Sequence, residues 1–374
     1  MGLAVGLALL VIVVAGCHKK VQPADASPSG ASTSRIDIDN LQCITATEEK
    51  ERDNFRADIR SRVQQGDFNS LEAQATDYRS NKSRFPNGYW KLQVYYVAFG
   101  ELSTKESDAA WLDQIKHLQQ WVAQATNSIT PLLALAEAYR GYGWFARGSD
   151  FADKVTDEGS RLLDERLGQS FACLRQAKKL LANEPDSAFY AIALRVCLGA
   201  NVKREVYEKI FADGVAHTPD YTPLYEYKAY YLLPRWSGAT GEWETFARAM
   251  SRREDIPGSG EIFARCALHM RDFGLFYAEF SATDDSWNEL KTSFHALEAD
   301  YPDSLEIKSV FCLISAKLCD YQEARAQMQL LHQQVDLSVW GTQDNFVGAA
   351  QWLNQDDATL ESARQQFKSQ KHSN

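Results

Sequence analysis

The chain has 374 residues, 45% of them hydrophobic, with 40 Lys and Arg against 50 Asp and Glu for a net charge of −10. That length holds one large or two ordinary domains with a sizeable core. The acidic balance, with no basic stripe, argues against nucleic acid as a partner, because neutralising phosphates takes clustered Lys and Arg.

From Leu3 to Gly16 no side chain is charged or polar, and Val14-Ala15-Gly16-Cys17 is followed at once by His18-Lys19-Lys20. Small residues beside a cleavage point suit a signal peptidase, and the run is shorter than the roughly 20 residues a spanning helix needs. The quartet resembles the lipobox of bacterial lipoproteins. That resemblance implies a signal peptide over 1–16, an acylated Cys17, and an address on the periplasmic face of a membrane, the outer membrane favoured. A plain cleaved signal and a single membrane anchor are the other readings, since Met1-Gly2-Leu3 supplies no positive residue. Residues 17–44 are rich in Ser, Pro and Ala and read as a flexible tether, with Ile36-Asp37-Ile38-Asp39 a short alternation inside it.

From residue 45 to 374 the pattern is helical, opening on a capping box at Thr45-Ala46-Thr47-Glu48. Glu184-Pro185-Asp186 and Thr218-Pro219-Asp220 lie 34 residues apart, and Tyr301-Pro302-Asp303-Ser304 closes a third helix similarly. Each proline follows a helix end, and each Asp can cap the next helix. Leu305–Leu318 and Gln322–Leu331 read as a helix pair around Cys319-Asp320-Tyr321. Asp320-Tyr321-Gln322-Glu323-Ala324 resembles the Gly-Asp-Tyr-x-x-Ala segment of tetratricopeptide repeats, with Cys319 where Gly is usual. Gly66-Asp67-Phe68-Asn69-Ser70-Leu71 is similar to the same segment. The expected fold is therefore all-α, a tetratricopeptide-like helical-repeat solenoid.

The densest signal is aromatic, from Tyr221 to Phe246. Tyr227, Tyr230 and Tyr231 share neighbouring faces of one helix that Pro234 ends, and Arg235-Trp236-Ser237-Gly238 forms its exit. Upstream, Ala146-Arg147-Gly148 precedes Val155-Thr156-Asp157-Glu158-Gly159. Together with Tyr231–Gly238 these segments resemble a bacterial family catalogued as a domain of unknown function, number 4034, over about residues 130–255. The resemblance implies a helical, repeat-like fold and no established activity. Tyr227, Tyr230, Tyr231, Arg235 and Trp236 are either a binding surface, since Tyr, Trp and Arg dominate hot spots, or a packed corner.

Removing Cys17 leaves six cysteines, none in a CxxC or in zinc spacing, so no metal is expected. Cys173 and Cys197 flank Asn183-Glu184-Pro185-Asp186 almost symmetrically, and matched levels of a helical hairpin predict a disulfide between them. The sequence has no phosphate loop, HExxH, GxSxG or SxxK, and its seven histidines are isolated, so no cofactor is implied. The expected role is a non-catalytic scaffold for an envelope protein or peptide, held to the membrane through its acyl anchor. The alternatives are a periplasmic hydrolase acting on cell-wall material through a single Glu, and a cytoplasmic helical adaptor should the signal reading fail.

Overall fold

The computed structural model describes residues 35–44, 48–102, 107–148 and 154–371. Cys17 with its signal, Thr45–Thr47 of the capping box and Ser149–Ala152 of the Ala-Arg-Gly segment lie outside them. The described helices are α1 (Glu48–Gln65), α2 (Phe68–Asn81), α3 (Lys91–Val97), α4 (Asp108–Gln124), α5 (Thr130–Arg147) and α6 (Asp157–Leu180). They continue with α7 (Ser187–Gly199), α8 (Arg204–His217), α9 (Pro223–Tyr231), α10 (Glu242–Ser251), α11 (Ile262–Asp272) and α12 (Phe276–Glu279). The last are α13 (Asp284–Asp300), α14 (Leu305–Lys317), α15 (Tyr321–Leu330), α16 (Leu337–Trp340), α17 (Gln343–Leu353) and α18 (Asp357–Lys371). Sixteen of these have seven residues or more, so the described chain is all-α with sequential helix pairs. None is long and apolar enough to cross a membrane.

Local chemistry explains where the helices turn. Gly66 takes φ +69° and Cys319 φ +60°. The next amide reaches back five residues in each case, Asp67 to the Arg62 carbonyl and Asp320 to that of Ser315, both at 2.9 Å. These are Schellman turns, and Asp67 and Asp320 then cap the following helices by accepting from the Ser70 and Glu323 amides. Asn201 and Gly274 make the same turn at positions the sequence did not flag. The expected Asp caps hold only once. Asp186 caps α7 through the Ala188 amide at 2.8 Å. Asp220 instead pairs with Lys82, because α9 starts three residues later at Pro223, and Ser304 rather than Asp303 caps α14.

Helices α1, α3, α5, α7, α9 and α11 pack on one another in succession, with the even-numbered helices up to α10 bridging them. The apolar side chains form two cores. One gathers Ile59 to Val196, the other Ala191 to Leu353 with Ile36 and Trp90. Helix α7 serves both, Phe189, Ile192 and Val196 facing one core and Ala191, Leu194 and Cys197 the other, as a helix apolar on all sides must.

The layer of alternate helices curls back on itself. Arg52 of α1 reaches Glu306 of α14 through two hydrogen bonds of 2.8 and 3.2 Å. The Glu48 carboxylate accepts from the Ser304 hydroxyl and the Leu305 amide, so it caps α14 rather than its own helix. The loop before α3 ties the two ends further. Arg84 meets Glu261 and the Tyr301 hydroxyl, Asn87 donates to Glu306, and Tyr89 donates to Asp272.

The expected tether boundary at residue 44 needs correction. Ile36 is buried and exchanges backbone hydrogen bonds with the Asn354 side chain at 2.7 and 2.9 Å. Strand β1 (Gln42–Ile44) pairs in parallel with β2 (Gln334–Asp336), Cys43 opposite Val335. The Ile36/Ile38 alternation thus belongs to the folded body. It packs against the C-terminal core, a partner some 300 residues away that no local pattern reveals.

Candidate binding face

The Tyr231–Gly238 motif is a corner. Leu232 and Leu233 are buried, and the amides of Trp236, Ser237 and Gly238 return to the carbonyls of Leu233, Tyr231 and Leu233 at 2.9, 3.2 and 3.2 Å. Gly238 is obligatory there, since a Cβ would lie 1.8 Å from the Leu232 carbonyl oxygen. The five singled-out residues divide. Tyr231 is core, stacked on Tyr207 at 3.6 Å, and Tyr227 is buried with its hydroxyl accepting from Gln93 at 3.2 Å. Tyr230 and Trp236 are half-buried and Arg235 is exposed, and it is Arg204 that donates to the Ser237 carbonyl of the corner, at 3.1 Å. The motif is therefore both corner and surface.

The half-buried members continue into residues that the sequence did not single out for binding. The Trp236 ring meets Trp144 and Tyr230, each at 6.0 Å, and Tyr230 meets Phe273 at 4.8 Å. Phe273 is 50% exposed, an unusual fate for a large aromatic in a chain with so much core. His269 joins Tyr227, Tyr230 and Phe273 at 5.4, 5.9 and 5.0 Å. Arg147 lies over Trp144 at 5.2 Å.

Arginines continue this face. On α5, Glu137, Arg140, Trp144 and Arg147 recur at helical spacing, and Glu137 is fully buried. Its carboxylate accepts from Arg140 and from Arg195 of α7, both at 2.6 Å. Arg195 also lies 5.3 Å from the Tyr227 ring. On α1, Arg52, Arg56 and Arg60 stand four residues apart on one stripe, and Arg52 aims it into the curl of the layer toward Glu306. Arg56 approaches Glu101 at 3.7 Å, and Glu101 acts electrostatically on Arg60 and Arg195 as well. Among the described residues the Arg60 Nε has no hydrogen-bond partner. Arg140 and Arg195 thus share Glu137, while Arg56 and Arg60 neighbour Glu101.

The titratable groups near this face are shifted mainly by burial. Burial raises the Glu226 carboxyl to about 7, against the opposing pull of Arg265 and Gln93. Burial and then Arg195 lower His269 to about 3, so its imidazole is neutral. Asp272 keeps 43% of its side-chain surface, yet the protein around it raises its carboxyl to about 6, despite Arg271 and Arg52. Beside Gln93, Glu137, Arg195 and Tyr227 lies a cavity of about 10 Å³, the room of one water, which takes neither a sugar ring nor a peptide. Glu226 accepts from Gln93, which lines that cavity, at 3.1 Å.

Cys173 and Cys197 are free buried thiols, which corrects the expected disulfide. The hairpin is as predicted, but Cys173 points into the first core and Cys197 into the second. Burial raises them to about 11 and about 12. Among the described residues no three His, Cys, Asp or Glu gather to hold a metal. No family model, curated protein or solved structure matches this chain.

Proposed function

We propose that this chain is a non-catalytic scaffold of tetratricopeptide-like helix pairs that holds an extended polypeptide, secreted and anchored to the envelope through an acylated Cys17. The observation that carries the reading is the continuous run Trp144, Trp236, Tyr230 and Phe273, large aromatics left partly exposed along one face. Such rings bury large area at low entropic cost when a partner covers them. The successive packing of alternate helices supports the repeat reading.

Crosslinking from native membranes tests it. A photo-crosslinking residue at Phe273 should capture a specific envelope protein, and the capture should fail in Cys17→Ser cells. Capture of nothing, with the protein recovered inside the cytoplasm, would overturn both role and address.

A further inference from the structure

We propose that Asn87 is a conditional modification site: it deamidates, with water as the only co-reactant, when the loop before α3 parts from α11 and α14, and the closed curl prevents it.

Asn87-Gly88 is the single Asn-Gly pair in the chain. Deamidation begins when the backbone nitrogen of the next residue attacks the asparagine side-chain carbon, and a glycine there has no Cβ to obstruct it. The fold needs both residues. Phe85-Pro86-Asn87-Gly88 is a turn closed by the Gly88 amide on the Phe85 carbonyl at 2.8 Å, with Arg84 and Trp90 bridged antiparallel on either side. Gly88 takes φ +80°, and a Cβ there would fall 1.9 Å from Arg265 Nη2 and 2.4 Å from the Tyr301 ring. Asn87 is 1% exposed. Its Nδ2 donates to Glu306 at 2.8 Å, its Oδ1 accepts from the Tyr89 amide at 3.3 Å, and its carbonyl accepts from Arg265 at 2.7 Å.

These contacts hold the reaction off. The attacking nitrogen is engaged with Phe85, and the side-chain amide is held at both its oxygen and its nitrogen. Arg52 of α1 donates to the same Glu306 oxygen as Asn87, so the junction is polar and its local parting exposes little apolar surface. Once freed, the Gly88 nitrogen gives its proton to solvent and bonds to Asn87 Cγ; the Cγ–Nδ2 bond breaks and ammonia leaves. Water then opens the cyclic imide at either carbonyl, to aspartate or isoaspartate, with no oxidant or reductant. Aspartate would set a second carboxylate against Glu306, whose partner Arg52 is already engaged, while Arg265 is committed to Glu261. Isoaspartate adds a backbone carbon inside the turn. Either product opposes reclosure, so the change runs one way.

Peptide mapping by mass spectrometry of the full chain, incubated in mildly alkaline buffer with and without urea, decides it. Asn87 should convert at least about a hundredfold faster in the urea-unfolded chain, and about tenfold faster in folded Arg52→Gln than in folded wild type, because the open population sets the rate. Equal conversion of folded and unfolded wild type overturns the proposal, as does Arg52→Gln converting no faster than wild type with unchanged circular dichroism. Should Arg52→Gln not fold, wild type in urea below its unfolding transition takes its place, and a rate that does not rise there overturns the proposal too. Asn87→Asp, one of the products, should melt below wild type; an identical melt overturns the block on reclosure.

Discussion

Removing the Asp186 carboxylate should be among the most damaging single changes in the fold. Asp186 is fully buried and joins three elements. One oxygen caps α7 through the Ala188 amide, and the other accepts from Tyr96 of α3 at 2.9 Å and from Arg79 of α2 at 2.9–3.0 Å. In Asp186→Ala the lost cap costs about 1 kcal/mol. The stranded Tyr96 hydroxyl, buried to 1% exposure, adds about 1–2 kcal/mol. Arg79 loses one of two acidic partners, but Glu184 remains at 2.7 Å, so this contributes about 1–2 kcal/mol rather than the full cost of a buried orphan charge. The total is about 4 kcal/mol. With an unfolding entropy of about 0.7 kcal/mol/K for a body of this size, that lowers Tm by about 6 °C. Asp186→Asn keeps one acceptor oxygen and puts an NH2 donor in place of the other, so either the α7 cap or the Tyr96 and Arg79 bonds are lost but not both; because burial already raises the acid above its usual range its charge is itself costly, and about 2 kcal/mol should be lost. Urea unfolding followed by circular dichroism measures both variants. An alanine variant within 1 kcal/mol of wild type, or an asparagine variant as damaged as alanine, would refute the reasoning.

The remaining predictions concern the corner, the buried acid and the thiols. Gly238→Ala should cost about 2–4 kcal/mol because the Leu232 carbonyl must move, whereas Arg235→Ala should stay within about 0.5 kcal/mol; equal effects in thermal melts would contradict the corner geometry. Glu226, raised to about 7 when folded, binds its proton more tightly in the native state. Its contribution is fully present below about pH 4.5 and is lost as pH rises through about 7, on the order of 3 kcal/mol. Glu226→Gln should remove that pH dependence from melts between pH 5 and 8, and an unchanged profile would show that Glu226 is not its source. Under native conditions iodoacetamide should modify exposed Cys43 well before Cys173 or Cys197, and non-reducing peptide maps should find the latter two unbridged.

Local chemistry was legible wherever one residue type dictates one geometry. Gly66-Asp67-Phe68 and Cys319-Asp320-Tyr321 both read as turns between paired helices, and both turns form, each through a left-handed residue followed by a capping Asp. The equivalent turns at Asn201 and Gly274 passed unseen because no capping Asp follows. The pair Leu305–Lys317 and Tyr321–Leu330 matched its expected bounds to within a residue or so. The arginine stripe of α1 was present as a four-residue spacing, yet a helix so rich in charges reads as a solvated face; only the curl toward α14 turns it inward.

Sequence by itself determined that this chain is helical, where a few of its helices stop at Pro or Gly, and that Pro234 ends the aromatic helix. Periodicity, caps and glycine sterics act over a few residues, so they are written locally. Tertiary structure alone decided that Ile36 and β1 belong to the folded body, that Tyr227 and Tyr231 are core while Tyr230 and Trp236 stay half-exposed, and that Cys173 and Cys197 never meet. Those outcomes depend on which helix arrives from a hundred or more residues away, or on which of two cores a side chain enters. Burial is a property of the partner as much as of the residue.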